Sequence, residues 1–242
     1  MNLAKSNWLL LAIPLIIPAL IFAFQRQTDL FMQPPNLKRV IDVATASTFE
    51  IRCDGEDTGT GWAVELGDES FIVTAAHVVE ECSTGEFVGA RNANRGLLPL
   101  TLVEYNGGYW EGGSTDLALL HSSEKLAGLI FQEEQAEIGQ WVMALGYPLS
   151  ELESPLISLS EGRISAIDDL GHIVTSAPIN GGNSGSPLIN SRGQIIGTIY
   201  ASDPPDEYDN LGYAQSIEEH CLVITTCSDG KALYERINDV EY

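Results

Sequence analysis

From Thr48 onward the chain is cut into short apolar and β-branched runs, six to eight residues long, separated by glycines and polar turns. Examples are TFEIRC (48–53), GWAVEL (61–66), SFIVTA (70–75), DLALLH (116–121), QWVMALGY (140–147), EGRISAI (161–167) and QIIGTIY (194–200). This spacing predicts an all-β barrel or sandwich. Helical periodicity is expected only late, over SIEEHCLVI (216–224) and KALYERIND (231–239). A chain of 242 residues, 44% of them hydrophobic, can build one sizeable core or two smaller ones that share a site. It leaves no room for a separate accessory domain.

The segment ahead of this pattern is of another kind. Trp8 to Phe24 form an unbroken apolar run, WLLLAIPLIIPALIFAF, with Lys5 before it and Arg26 after it. The run reads as an export signal, either a cleaved signal peptide or a transmembrane anchor. Cleavage after Ala23 would place bulky Ile21 third from the cut, which favours the anchor. Residues 25–45 contain Pro34-Pro35 among polar residues and read as a linker with no core of its own. The expected division is therefore a flank (1–7), a hydrophobic helix (8–24), a linker (25–45), a folded domain (46–225) and a C-terminal segment (226–242). The net charge of −22, from 34 acidic against 12 basic residues, argues against a nucleic-acid partner.

Three candidate residues fall into the strand pattern in the order His, Asp, Ser: His77 in TAAHVV, Asp116 in STDLALL and Ser184 in GNSGSP. A serine hydroxyl is a weak nucleophile until a base takes its proton. An imidazole does so only when a third group fixes its tautomer and steadies the imidazolium. Each motif alone is ordinary, a glycine turn or a buried strand. Together, in an exported all-β chain, they assign every role in that chemistry. No His or Cys pair shows metal-ligand spacing, so neither a metal nor another cofactor is called for, and His121, His172 and His220 are assigned to packing or solvent.

These motifs, with EGRISAI, the long stretch SAPINGGNSGSPLINSRGQIIGTI (176–199) and GYAQSI (212–217), resemble chymotrypsin-fold serine proteases, specifically the Deg/HtrA branch. The resemblance covers roughly residues 46 to 220. It implies two six-stranded antiparallel β-barrels, with His77 and Asp116 from the first and Ser184 from the second. It also implies an oxyanion hole from the backbone amides of Gly182 and Ser184, with glycines permitting the tight turn. Ser186 stands where the family usually has a second glycine. Asn183 stands where the digestive enzymes carry an aspartate that pairs with a new N-terminus, so that route of activation is closed. Fewer than thirty residues follow position 220, too few for the peptide-binding PDZ module usual in the branch, and the oligomeric state is left open.

By the same resemblance, Ile179 and Asn180 line the pocket for the residue before the scissile bond, together with Thr198, Ile199 and Tyr200. No acid lies in the pocket-base segment, and Ile179 argues for small or medium aliphatic side chains on a polypeptide substrate. The four cysteines admit three disulfide pairings. The resemblance favours Cys53–Cys82, bracing the His77 loop, which leaves Cys221–Cys227. The acidic stretch 202–210 follows the Tyr200 strand and reads as a solvated turn, with calcium binding the lesser alternative. The expected activity is an exported, membrane-tethered serine endopeptidase. Its rivals are a catalytically silent protease fold that binds peptides or proteins, and an esterase with the same triad.

Overall fold

The computed structural model describes residues 29–34, 36–53, 56–80, 82, 88–92, 95–106, 115–132, 134–148, 156–202 and 211–216. Twelve strands form two closed barrels with antiparallel neighbours throughout, as the sequence predicts. The first holds β1 (Thr48–Cys53), β2 (Glu56–Leu66), β3 (Glu69–Thr74), β4 (Val88–Asn92), β5 (Arg95–Asn106) and β6 (Leu117–Ser122), in the order β1-β2-β3-β6-β5-β4. The second holds β7 (Trp141–Gly146), β8 (Ser158–Ile167), β9 (Ile173–Thr175), β10 (Pro187–Ile189), β11 (Ile195–Ser202) and β12 (Gly212–Ser216), in the order β10-β11-β12-β9-β8-β7.

Successive side chains on a strand point to opposite faces, and here both faces of several strands are buried. On β6, Ala118 and Leu120 fill the first barrel with Phe49, Ile51 and Ile72, whereas Leu117 and Leu119 turn outward. On β7, Val142 and Ala144 fill the second barrel with Leu188 and Ile199, whereas Trp141, Met143 and Leu145 turn outward. The outward sets meet Trp62, Val64 and Val73 in one shared layer. Runs such as WVMALG are therefore continuously apolar because their strands serve two cores at once. Trp62 seals the seam by donating its indole N–H to Thr198 Oγ1 at 3.0 Å.

The N-terminal part of the expected linker is not a free tether. Leu30 is 1% exposed, Trp141 donates its amide to the Leu30 carbonyl at 2.9 Å, and Ser191 Oγ donates to the Asp29 carbonyl at 2.7 Å. Arg163 Nη1 bridges the carbonyls of Phe31 and Gly139. Helix α1 (Leu37–Ala46) follows, capped by Asn36 Oδ1 on the Arg39 amide. Leu37, Val40, Ile41 and Ala44 fall at helical spacing and pack on the shared layer, which overrides the polar composition that suggested a linker. Among the described residues no helix is long and apolar enough to cross a membrane. The apolar run 8–24 and the segment 226–242 lie outside the described residues, as do the stretches where late helices were expected, apart from Ser216, which ends β12.

Candidate active site

His77 is the second residue of the short helix α2 (Ala76–Glu80), launched directly from β3. Asp116 immediately precedes β6, the strand paired with β3, and is 1% exposed. Its carboxylate grips His77 twice, with Oδ1 accepting the backbone amide at 2.9 Å and Oδ2 meeting Nδ1 at 2.5 Å. A carboxylate on Nδ1 keeps the proton there and leaves the Nε2 lone pair free to accept another. The His77 side chain is 29% exposed.

Ser184 sits in a turn whose backbone is tightly determined. Asn183 donates to Asn180 at 3.1 Å, Ser186 to Asn183 at 2.9 Å, and Gly185 to Ile199 at 2.7 Å. Gly182 and Gly185 lie at φ of +85° and +84°, which side-chain-bearing residues rarely adopt. The amides of Gly182 and Ser184 have no acceptor among the described residues, and neither does Ser184 Oγ have a partner. Both amides and the hydroxyl are thus left available to a bound group.

Gly59 marks where the two halves meet. A Cβ at that position would lie 2.7 Å from Val78 Cγ2, beside His77, and 2.9 Å from the Ser184 carbonyl oxygen. The helix carrying the base and the turn carrying the hydroxyl thus converge on one small residue. The disulfide Cys53–Cys82, Cα atoms 5.2 Å apart, ties the end of β1 to the far end of α2. Cys221 and Cys227 lie outside the described residues, as do His220 and positions 203–210 of the acidic stretch.

The five pocket candidates separate. Ile179 is 8% exposed and stands against Gly212, where any Cβ would collide with it; Asn180 is exposed nearby. Ile199 packs with Ile179 inside the second barrel. Thr198 is buried with its hydroxyl engaged by Trp62 at the barrel seam. Tyr200 is also buried and packs among first-barrel residues with Val78 and Val79, its ring centroid 5.8 Å from that of His172. His172 in turn pairs Nδ1 with Asp168 Oδ2 at 2.8 Å. Burial alone would raise the Asp168 pKa, but hydrogen bonds from the His172 ring, the His172 amide and the Leu170 amide hold it below the usual carboxylate value. His121 rests against the Phe71 ring with Glu69 at 3.7 Å. Among the described residues no cluster of His, Cys, Asp and Glu could hold a metal. Sequence reasoning missed Thr60, because its contacts to the Ser184 turn join positions 122 residues apart.

The model of the trypsin-like peptidase domain matches residues 59–197, a span holding His77, Asp116 and Ser184. The chain belongs to the trypsin-like peptidase family. Within it, the chain is 32% identical over 187 residues to a probable periplasmic DegP-like serine endoprotease of Chlamydia trachomatis, covering 72% of this chain and 34% of that protein. It is 30% identical over 180 residues to the putative serine protease HhoB of Synechocystis, covering 68% of this chain and 39% of the relative. The chain thus spans about a third of the length of these curated relatives. Its fold matches the crystal structure of a serine endoprotease from Yersinia pestis with a TM-score of 0.64 at 22% identity, over 79% of this chain and 66% of that one.

Proposed function

We propose that this trypsin-like peptidase is an exported serine endopeptidase that works through an acyl-enzyme. Ser184 Oγ attacks the scissile carbonyl carbon while His77 Nε2 takes its proton, and Asp116 holds the resulting imidazolium. The carbonyl oxygen becomes an oxyanion facing the amides of Gly182 and Ser184. As the intermediate collapses, the C–N bond breaks and the Nε2 proton passes to the leaving amine. Water then repeats the sequence on the ester and frees Ser184. The observation that carries this reading is the double grip of Asp116 on His77, on a helix that meets the Ser184 turn at Gly59.

Apolar Ile179, with no acid in its segment, supports a preference for small or medium aliphatic residues before the cut. A peptide library favouring arginine at that position would overturn this preference. We further place the protease domain outside the cytoplasm, held to a membrane through residues 8–24. The principal test treats the full-length chain with a fluorophosphonate and reads intact mass, with Ser184→Ala in parallel. One adduct per chain, lost in the variant, supports the reading. Folded wild-type protein that takes no adduct refutes it.

A further inference from the structure

The turn bearing Ser184 belongs to the second barrel but is held from the first, and a single residue makes the connection. Thr60, on β2, donates its amide to the Ser184 carbonyl at 2.8 Å. Its hydroxyl oxygen accepts the Tyr147 amide at 3.0 Å, which directs the hydroxyl proton to the Gly182 carbonyl, 2.7 Å away. Its own carbonyl accepts Thr74 Oγ1 at 2.6 Å, fastening β2 to β3 one turn before His77.

The consequence runs through the peptide planes, in which C=O and N–H point in opposite directions. The plane between Asn183 and Ser184 is fixed by the Ser186 amide on the Asn183 carbonyl, so the Ser184 N–H faces the other way. The plane after Ser184 is pinned at both edges, by Thr60 N–H on its carbonyl and by its own N–H on Ile199. The plane between Gly182 and Asn183 is pinned by Asn180 on one edge and on the other by the Thr60 hydroxyl. Gly182 has no Cβ and sits at φ of +85°, so its freedom to rotate is large unless that carbonyl is held. Removing the hydroxyl leaves the Gly182 carbonyl without its donor and the Gly182–Asn183 peptide held at one edge only, by the Asn183 amide on Asn180.

We infer that Thr60 is a positioning residue whose hydroxyl, reaching across from the first barrel, holds the Gly182–Asn183 peptide that lies between the Gly182 and Ser184 amides and so steadies the pair. The inference rests on the reading that those amides receive the substrate's carbonyl oxygen. It makes the donor pair conditional on the two barrels being correctly seated, since the holding group and the held turn lie on different barrels. Thr60 never touches substrate; it acts through Gly182.

The test compares full-length wild type with Thr60→Val, which keeps the shape and loses the hydroxyl, and Thr60→Ser, which keeps the hydroxyl. On one peptide substrate, Thr60→Val should lower kcat about 10- to 100-fold, short of the roughly 10²–10³ for deleting an oxyanion donor, with KM nearly unchanged. Thr60→Ser should restore most of kcat. A second readout is amide hydrogen exchange across residues 180–186, which Thr60→Val should speed and Thr60→Ser should leave at the wild-type rate. Should Thr60→Val fail to fold by circular dichroism, Thr60→Ala takes its place. Wild-type kcat and exchange without the hydroxyl overturn the inference, as does a loss that Thr60→Ser fails to rescue. If wild type takes no fluorophosphonate, the hydrolase reading fails by itself, and the exchange rates alone decide whether Thr60 holds the turn.

Discussion

Removing the Cys53–Cys82 disulfide offers a prediction whose size follows from the chain path. The bridge joins positions 29 residues apart, between the end of β1 and the residue just beyond α2. In the chain-entropy treatment, a loop of that length removes about 12 cal/mol/K from the unfolded ensemble, or about 3.6 kcal/mol at 25 °C. Native-side losses should be small, because α2 is also held by β3 and by Asp116 on the His77 amide. The double variant Cys53→Ala/Cys82→Ala should therefore lose about 3.6 kcal/mol while Ser184 still takes a fluorophosphonate at close to the wild-type rate under native conditions. With a urea slope of roughly 2–3 kcal/mol/M, the unfolding midpoint should fall by roughly 1.2–1.8 M. The assay is urea unfolding of the oxidised full-length proteins by fluorescence, with labelling rates measured alongside. A midpoint shift below about 0.5 M at unchanged slope would refute the entropic reasoning. A collapse of labelling in fully folded variant would show instead that the bridge positions His77.

Further tests address the site and its support. Asp116→Asn should keep the fold but lower kcat about 10⁴-fold, because an amide on His77 Nδ1 favours the wrong tautomer; steady-state kinetics with retained circular dichroism checks this. Gly185→Ala should destabilise by about 1–3 kcal/mol from backbone strain alone, with a further penalty because the new Cβ would enter the envelope of the Thr60 carbonyl oxygen. Wild-type unfolding and labelling of that variant would contradict the turn geometry. Asp168 is held below its ordinary pKa of 3.8 by hydrogen bonds that outweigh its burial, so its contribution is complete above about pH 4–5 and fades as the pH falls through the lower folded value. Wild type should accordingly exceed Asp168→Asn in stability near neutrality and lose that advantage below pH 4, as acid-titrated melting curves would reveal.

What the sequence disclosed depended on whether the controlling contacts were local. TFEIRC, GWAVEL, QWVMALGY and QIIGTIY declare themselves because β-branched and aromatic residues are bounded by turn residues, and all fall on strands. The strand Arg95–Asn106 did not, since GLLPL places leucines side by side and sets Pro99 in the run; Leu98 and Leu100 turn inward while Leu97 remains exposed. Helix α1 was hidden by its polar residues and by Pro34-Pro35, although Asn36 and the spacing of Leu37, Val40, Ile41 and Ala44 carry its signal. At the site, His77, Asp116 and Ser184 were legible because each sits in a short motif shaped by its own turn. The facing of the Thr198 hydroxyl was not legible, because the partner that engages it is Trp62 on the other barrel. Thr60 was invisible for the same reason, since nothing within GTG announces a bond to a carbonyl in the second barrel.

The docked N-terminal strap sets a working radius. Asp29, Leu30 and Phe31 are each fastened to the second barrel, so residues 25–28 alone separate the strap from the apolar run ending at Phe24. The five Cα–Cα steps from Phe24 to Asp29 cover at most about 18 Å when fully extended. Anything to which the apolar run is attached lies within that reach of the strap, and the strap becomes its mooring. Any pull on the mooring reaches Trp141 on β7 and Ser191 in the β10–β11 connection, two strands that neighbour each other in the barrel carrying Ser184.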